Sequence, residues 1–368
     1  MKKPKKRSVL FIGQMPPPWH GVSAINSWIL ESKQLNKFFT FHPVNLTTAT
    51  SITDIGKQSI SKYILFIKAV LITFYKLISL NPSLCYITLT PTGSAFFKDS
   101  IILLILKLFK KNILVHFHGK GITAWVKSKP IWVKSYYKKV LDGTSLIVLG
   151  KNLLNDVEIV YDKQPYVVPN GIPIISSQEG DYMEKPMFEI LFLSNLMKAK
   201  GVIDFVDSLV LLTKANDKFN ATIIGDSGDV SIAQIKNKLF ANNLQDHLKI
   251  IGPKYGAEKF QYLLQADVLV FPTHNDAFGL VLLEAMQVGL PVITTNEGCI
   301  PEIIEHNVNG YIVDKKSPQS IANKLVYLIN NPCTKNEIGE RNKAKFKEEY
   351  TLDIFEKRMI KILNQMNS

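Results

Sequence analysis

Phe271-Pro-Thr-His-Asn-Asp-Ala-Phe-Gly-Leu-Val-Leu-Leu-Glu-Ala-Met-Gln-Val-Gly-Leu-Pro-Val292 is the stretch that decides the fold. An apolar run, Val268 to Phe271, precedes it and reads as a buried strand. A polar turn follows, and a helix is expected from about Gly279 to about Val288, where Gly289 supplies the usual stop. A β-branched strand then begins at Pro291. A strand, a turn with acidic side chains and a helix N-terminus together make a phosphate and sugar site. The N–H groups of Phe278, Gly279 and Leu280 are expected to point outward, where the helix dipole favours an anion. Glu284 lies about one turn further in, within reach of two neighbouring hydroxyls.

Working outward, Asp276 and Glu284 enclose seven residues, with Phe278-Gly-Leu280 and Glu284-Ala-Met286 in the same segment. This pattern resembles the Glu-x7-Glu motif of the family-four retaining glycosyltransferases, which have the GT-B fold. The likeness continues through Pro291-Val-Ile-Thr-Thr295 and Glu297-Gly-Cys-Ile-Pro-Glu302 to Asn309-Gly310, about forty residues in all. One departure stands out: the first acid is Asp276 where the family has Glu. The resemblance implies an α/β chain of two Rossmann-like parallel-sheet domains facing each other across a cleft. Strand C-terminal ends are where such sheets bind ligands.

Bulk properties agree with two domains. The chain has 368 residues and 46% hydrophobic residues, enough for full cores. The expected division is 1–175 for an acceptor-side domain and 176–350 for a nucleotide-sugar domain, with 351–368 as a helix that crosses back, as in relatives. The polar run Ser176 to Lys185 is the expected linker. Three cysteines, Cys85, Cys299 and Cys333, form no C-x-x-C pair, which fits a reducing compartment. The apolar run after the basic start is too short for the core of a signal peptide.

Charge is unevenly spread. Residues 1–175 hold 23 Lys+Arg and 7 Asp+Glu, and residues 176–368 hold 21 and 24, so +16 and −3 recover the net +13. The basic half calls for an anionic partner. No helix-turn-helix, zinc or RNA-binding motif supports nucleic acid, which leaves an anionic membrane surface. Ile60 to Leu80 is long enough to span a bilayer. Lys62, Lys68 and Lys76 interrupt it within one arc of roughly 120°. It reads as a packed domain helix, a membrane-surface helix or a span, in that order of preference. Ser94 to Lys111 is a second apolar helix with a basic end.

The other site positions follow the chain. Strand Ser8 to Gly13, a proline-stiffened loop and a helix from Val22 make a phosphate-facing turn, and also an ordinary βα connection. By resemblance, Gly21 lines the donor phosphates and acceptor; the family's Gly-Gly is here His20-Gly21. His118, at the end of strand Ile113 to Phe117, matches a family histidine beside the donor sugar, and a satisfied core histidine is the plainer alternative. His116 shares its strand face, yet no third metal ligand is evident. Where the family has Gly-Arg-Leu, three residues, Lys-Gly, this chain has Asn195 in place of Arg and keeps Lys200 and Gly201. Arg and Lys clamp the donor diphosphate there; Asn loses the charge and the fork. Gly225 matches a glycine near the nucleotide base. Ser317 to Asn330 and Lys335 to Gln365 are expected to be helical.

The resemblance thus implies a metal-independent, retaining transfer from a UDP- or GDP-sugar to a glycan or polyprenyl-linked acceptor, in cell-surface polysaccharide synthesis. Asp276 and His118 are the catalytic candidates. Gly21, Asn195, Lys200, Gly225, Phe278, Gly279, Leu280 and Glu284 are the donor-binding ones. No cofactor and no Asp-x-Asp metal motif is expected. The expected location is cytoplasmic, peripheral on the inner face of the plasma membrane. A nucleotide-sugar epimerase of the same fold and a non-catalytic carbohydrate-binding protein are the alternatives.

Overall fold

The computed structural model describes residues 6–48, 60–175, 187–216 and 218–366. The chain divides into two compact units, Met1–Asn170 with Leu352–Ser368, and Gly171–Thr351. The predicted linker run, 176–185, lies outside the described residues.

Unit 1 is built on a six-stranded sheet of β1 (Arg7–Gly13), β2 (Phe39–Asn45), β3 (Leu84–Leu89), β4 (Asn112–Phe117), β5 (Ser145–Val148) and β6 (Tyr166–Val167). Every pairing is parallel, and the order is β2-β1-β3-β4-β5-β6. Near-continuous apolar runs such as Val9 to Ile12 and the six residues of β3 are buried, as strands covered on both faces must be. The edge strand β2 carries Pro43, tolerable there because one side of an edge needs no ladder donor. The Gly21–Glu31 helix opens with a reciprocal cap: His20 N–H donates to Ser23 Oγ at 2.9 Å, and Ser23 N–H donates to His20 Nδ1 at 3.5 Å.

Unit 2 repeats the design with β7 (Phe188–Leu193), β8 (Phe219–Ile224), β9 (Leu248–Ile250), β10 (Val268–Phe271), β11 (Val292–Thr295) and β12 (Tyr311–Val313). These are also all parallel, in the order β12-β11-β10-β7-β8-β9. Ile190, Phe192, Ile223, Val270 and Ile293 from the strands pack with Phe205, Leu209 and Leu325 from flanking helices in one core.

Each order reverses direction once, between β1 and β3 in unit 1 and between β7 and β10 in unit 2. At such a switch point the loops leaving adjacent strands diverge to opposite faces and open a crevice at the strand C-termini. The loops after β7 and β10 carry Asn195, Lys200 and Asp276. Topology alone therefore points to those residues.

One expected helix differs in form and another in burial. The predicted helix Lys335 to Gln365 is broken: an α-helix, Pro332–Lys345, runs into a π-helical turn, Phe346–Tyr350, and a new helix begins at Leu352. Thr351 is extended at the break (φ −72°, ψ 154°) and bridges Ile172, whose N–H donates to Tyr350 O at 3.0 Å. Lys151–Leu153 is a 3-10 turn, followed by one α-turn, Leu154–Val157. Its Asp156 accepts from the N–H groups of Gly121, Ile122 and Thr123 at 2.7–3.1 Å, capping another helix. The Ile60–Leu80 helix forms as expected but buries only Phe66, Ala69, Thr73 and Leu77.

Candidate active site

The crevice of unit 2 is assembled by one short turn gripping one long loop. The turn, Lys198–Lys200, ends in Gly201. Its Ala199 carbonyl accepts from His274 N–H at 2.8 Å, Asn275 N–H at 3.2 Å and Thr273 Oγ1 at 3.1 Å. His274 also pairs with Asp204 on the Val202–Leu212 helix. Gly201 has φ +76°, and a Cβ on it would sit 2.0 Å from Pro272 O. Only glycine satisfies both the backbone and the contact.

This grip sets Lys200 beside Asp276. Lys200 Nζ lies 2.6 Å from Asp276 Oδ2 and 3.4 Å from Asn275 O, and 5.8 Å from the centroid of the Phe271 ring. Asp276 Oδ1 meanwhile accepts from Phe278 N–H at 3.0 Å and Gly279 N–H at 2.9 Å. The expectation that both groups point outward as free donors is therefore corrected. A carboxylate two and three residues before them has the reach to satisfy them locally, as Asx turns do. The Leu280–Gln287 helix follows, with Gly279 at φ +80° as its N-cap and Leu280 as its first residue. Asp276 thus has a double duty, organising the helix entrance with one oxygen and orienting the Lys200 ammonium with the other.

Glu284 sits in that helix, partly covered, and its Oε1 lies 2.6 Å from Lys259 Nζ on the Gly256–Gln265 helix. Lys259 was missed by the sequence reading. It belongs to a separate helix 25 residues earlier, and no local spacing ties it to Glu284. Asn195 follows β7, and its Oδ1 accepts from Asp226 N–H at 3.4 Å. Gly225 closes β8, and a Cβ there would lie 1.9 Å from Ser194 O, so the ends of β7 and β8 approach as only glycine allows. The structure brings Asn195 and Gly225 to one end of the sheet, beside the Lys200 turn.

In unit 1 the switch-point loops carry His20, Gly21 and, one strand over, His118. Gly21 is exposed at the start of its helix. The His118 ring lies 3.9 Å from that of His116, centroid to centroid, tilted by 34°, and the buried Nε2 of each lacks a hydrogen-bond partner among the described residues. His116 Nδ1 shares a 2.7 Å hydrogen bond with Tyr86 OH. Burial, with like-charge repulsion from His20 added, pushes His118 down to about 3. Burial likewise pulls His116 well below its ordinary value, with His118 contributing, and lowers His20. His118 is therefore a neutral imidazole near pH 7, able to donate or accept a hydrogen bond but not to supply charge. Among the described residues no cluster of three His, Cys, Asp or Glu side chains is arranged to hold a metal.

A doubly repeated open α/β sheet, with a lysine turn and an acidic helix entrance at the second switch point, defines the class: the chain has the GT-B fold of glycosyltransferases. Residues 172–345 match the family described as Glycosyl transferases group 1. Among relatives, the amylovoran biosynthesis glycosyltransferase AmsK of Erwinia amylovora is 31% identical over 192 residues, which are 50% of this chain and 46% of that protein. The chain spans about half the length of the curated relatives it matches. A sucrose-phosphate synthase from Thermosynechococcus elongatus shares the fold with a TM-score of 0.77 at 15% identity, over 98% of this chain and 99% of that one. HepE from Anabaena, solved in complex with UDP, has a TM-score of 0.74 at 16% identity, over 97% and 100%.

Proposed function

We propose that the chain is a retaining glycosyltransferase that moves a sugar from a nucleoside diphosphate sugar to a hydroxyl of a glycan or polyprenyl-linked acceptor in cell-surface polysaccharide synthesis. The observation that carries this reading is the Lys200–Asp276 pair at 2.6 Å, set at the switch point of unit 2 by the Ala199 grip. The ammonium is held where a diphosphate would need a counter-charge, and the carboxylate is held where it can exchange that ammonium for a sugar hydroxyl. Glu284 then receives the ribose 2′ and 3′ hydroxyls, with Lys259 as the cation they displace or share. Gly225 leaves room for the base. AmsK, by its name, serves amylovoran biosynthesis, and HepE holds UDP; both support the donor and pathway class.

In the transfer, the bond between the anomeric carbon and the β-phosphate oxygen breaks, and the acceptor oxygen bonds to the same face of that carbon. The acceptor proton passes to the departing diphosphate, which leaves as nucleoside diphosphate. Lys200 stabilises the charge that grows on the leaving oxygen. The N–H groups of Phe278 and Gly279 act through Asp276, whose position they fix. Gly21 and neutral His118 are the proposed acceptor- and sugar-contacting groups of unit 1. In this scheme the Lys200 ammonium supplies the positive charge that faces the diphosphate.

The test is a panel of UDP- and GDP-sugars incubated with the protein and bacterial lipid extract, read by mass spectrometry. A glycosylated lipid or glycan is the expected product. Interconversion of the donor sugar without any acceptor would identify an epimerase instead. Binding without turnover of any donor would leave a carbohydrate-binding protein.

A further inference from the structure

The Ile60–Leu80 helix is a physical anomaly. It is 21 residues long and apolar enough to cross a bilayer, yet only 22% of its most apolar window is buried. Its contact stripe, Phe66, Ala69, Thr73 and Leu77, is narrow. Ile60, Ile64, Ile67, Leu71, Phe74 and Ile78 are 48–80% exposed. At roughly 100° per residue these six fall within an arc of roughly 80°, and its centre lies roughly 140° around the helix from the buried stripe. A soluble surface seldom carries a contiguous apolar strip of this size without an occupant.

Neighbouring helices extend the strip and charge its surroundings. Chain order places the Ile60–Leu80, Gly93–Leu108 and Ile131–Leu141 helices on one face of the unit 1 sheet, because their parallel crossovers all step in the same direction. Phe74 meets Phe109 edge-on at 5.4 Å, and Lys107 Nζ reaches Lys139 O at 2.6 Å. Ile101, Leu108, Ile131 and Trp132 are also exposed, so among the described residues this layer holds every exposed large hydrophobic of unit 1 except Trp19 and Phe38. The three helices contain eight lysines (three, two and three) and one acid, Asp99, which is buried.

We infer that this helical layer is a monotopic docking face, with the Ile60–Leu80 helix lying in the plane of an anionic lipid surface and its apolar strip inserted below the headgroups. Apolar area inserts while lysines attract anionic headgroups, the combination that holds amphipathic helices at interfaces. A second copy of the chain would bring a like-charged face against this lysine-rich layer, which stays net positive although Lys98 pairs with Asp99 and Lys138 with Asp162, and that disfavours self-association here. A bilayer span is disfavoured because the helix is tied to its own sheet: Lys76 Nζ donates to Pro43 O at 2.7 Å, and Phe66 and Leu77 are in the core. The inference rests on the lipid-linked acceptor reading above and names the surface that reading requires.

Flotation with vesicles of phosphatidylcholine, with and without phosphatidylglycerol, tests it. The full chain is expected to float with anionic vesicles at low salt and less so at high salt. The double variant I67E/L71E is expected to lose about ten-fold or more of that binding. Phe240→Glu, an equally exposed apolar site in unit 2, is expected to leave it unchanged. Both variants should retain the wild-type melting temperature and UDP affinity, since the substituted side chains point away from the cores. If the wild type ignores anionic vesicles altogether, the membrane reading and this inference both fail. If I67E/L71E floats as the wild type does, the docking face is misassigned while the membrane reading stands. A lipid-free dimer that I67E/L71E dissociates would overturn the inference in favour of self-association.

Discussion

Replacing Lys200 by Met tests the crevice at its most informative atom. Lys200 Nζ is about a quarter exposed and 2.6 Å from Asp276 Oδ2, which is less exposed still. Exposed ion pairs contribute about 0–1 kcal/mol to stability. The substitution should therefore cost little in folding, all the more because Asp276 keeps its two N–H donors through Oδ1. Against a bound diphosphate the same ammonium makes a charge-assisted hydrogen bond, about 1.5–3 kcal/mol. That is about one to two decades in affinity. Calorimetry with UDP, UMP and uridine separates these contributions. The loss is expected to be largest for UDP, smaller for UMP and absent for uridine, with the melting temperature nearly unchanged. Equal losses for all three ligands would mean that the variant deforms the pocket. No loss for UDP would mean that Lys200 is not the phosphate contact, and the reasoning from the Ala199 grip would be wrong.

Other expected outcomes follow from the same geometry. Glu284→Gln should bind ribonucleoside diphosphates about five-fold more weakly, because a charged acceptor becomes neutral, and should narrow the preference over the 2′-deoxy form measured by calorimetry. Gly201→Ala should destabilise the fold by about 2–5 kcal/mol in urea melts, since a Cβ meets Pro272 O and the backbone is left-handed. His118 takes up protons more readily when unfolded than when folded, where it titrates near 3. Stability should therefore fall as pH drops from about 6.5 towards 3, by up to about 1.4 kcal/mol per pH unit from this residue. His118→Asn should flatten that slope relative to the wild type in urea melts at stepped pH.

Much of this was legible in the sequence because strong local signals coincide there. Val268 to Phe271 is a strand, and the helix after Gly279 starts and stops where its glycines sit. The Lys200 turn was legible because Lys-Gly marks a tight βα connection. What was lost is what depends on tertiary partners. Strand β2 reads Phe-Thr-Phe-His-Pro-Val-Asn, with a proline and no apolar run, and is held only by pairing along β1. Strand β12 has three residues, too few for any period. The Phe278 and Gly279 N–H groups read in sequence as donors free for an anion, although Asp276, two and three residues earlier, is within reach of both and carries a turn signal. Lys259 and Glu284 meet only because two helices pack side by side. The Ile60–Leu80 helix was read correctly in extent, but which of its faces is covered is a property of the sheet beneath it.

Where a nucleoside diphosphate binds decides whether the Lys200 turn is the donor site. A crystal structure of the chain with UDP or GDP is predicted to show the diphosphate within hydrogen-bond distance of Lys200 Nζ and the ribose hydroxyls on Glu284, with Lys259 displaced from or sharing that carboxylate. A nucleotide bound elsewhere, with the Lys200–Asp276 and Lys259–Glu284 pairs unaltered, would contradict it.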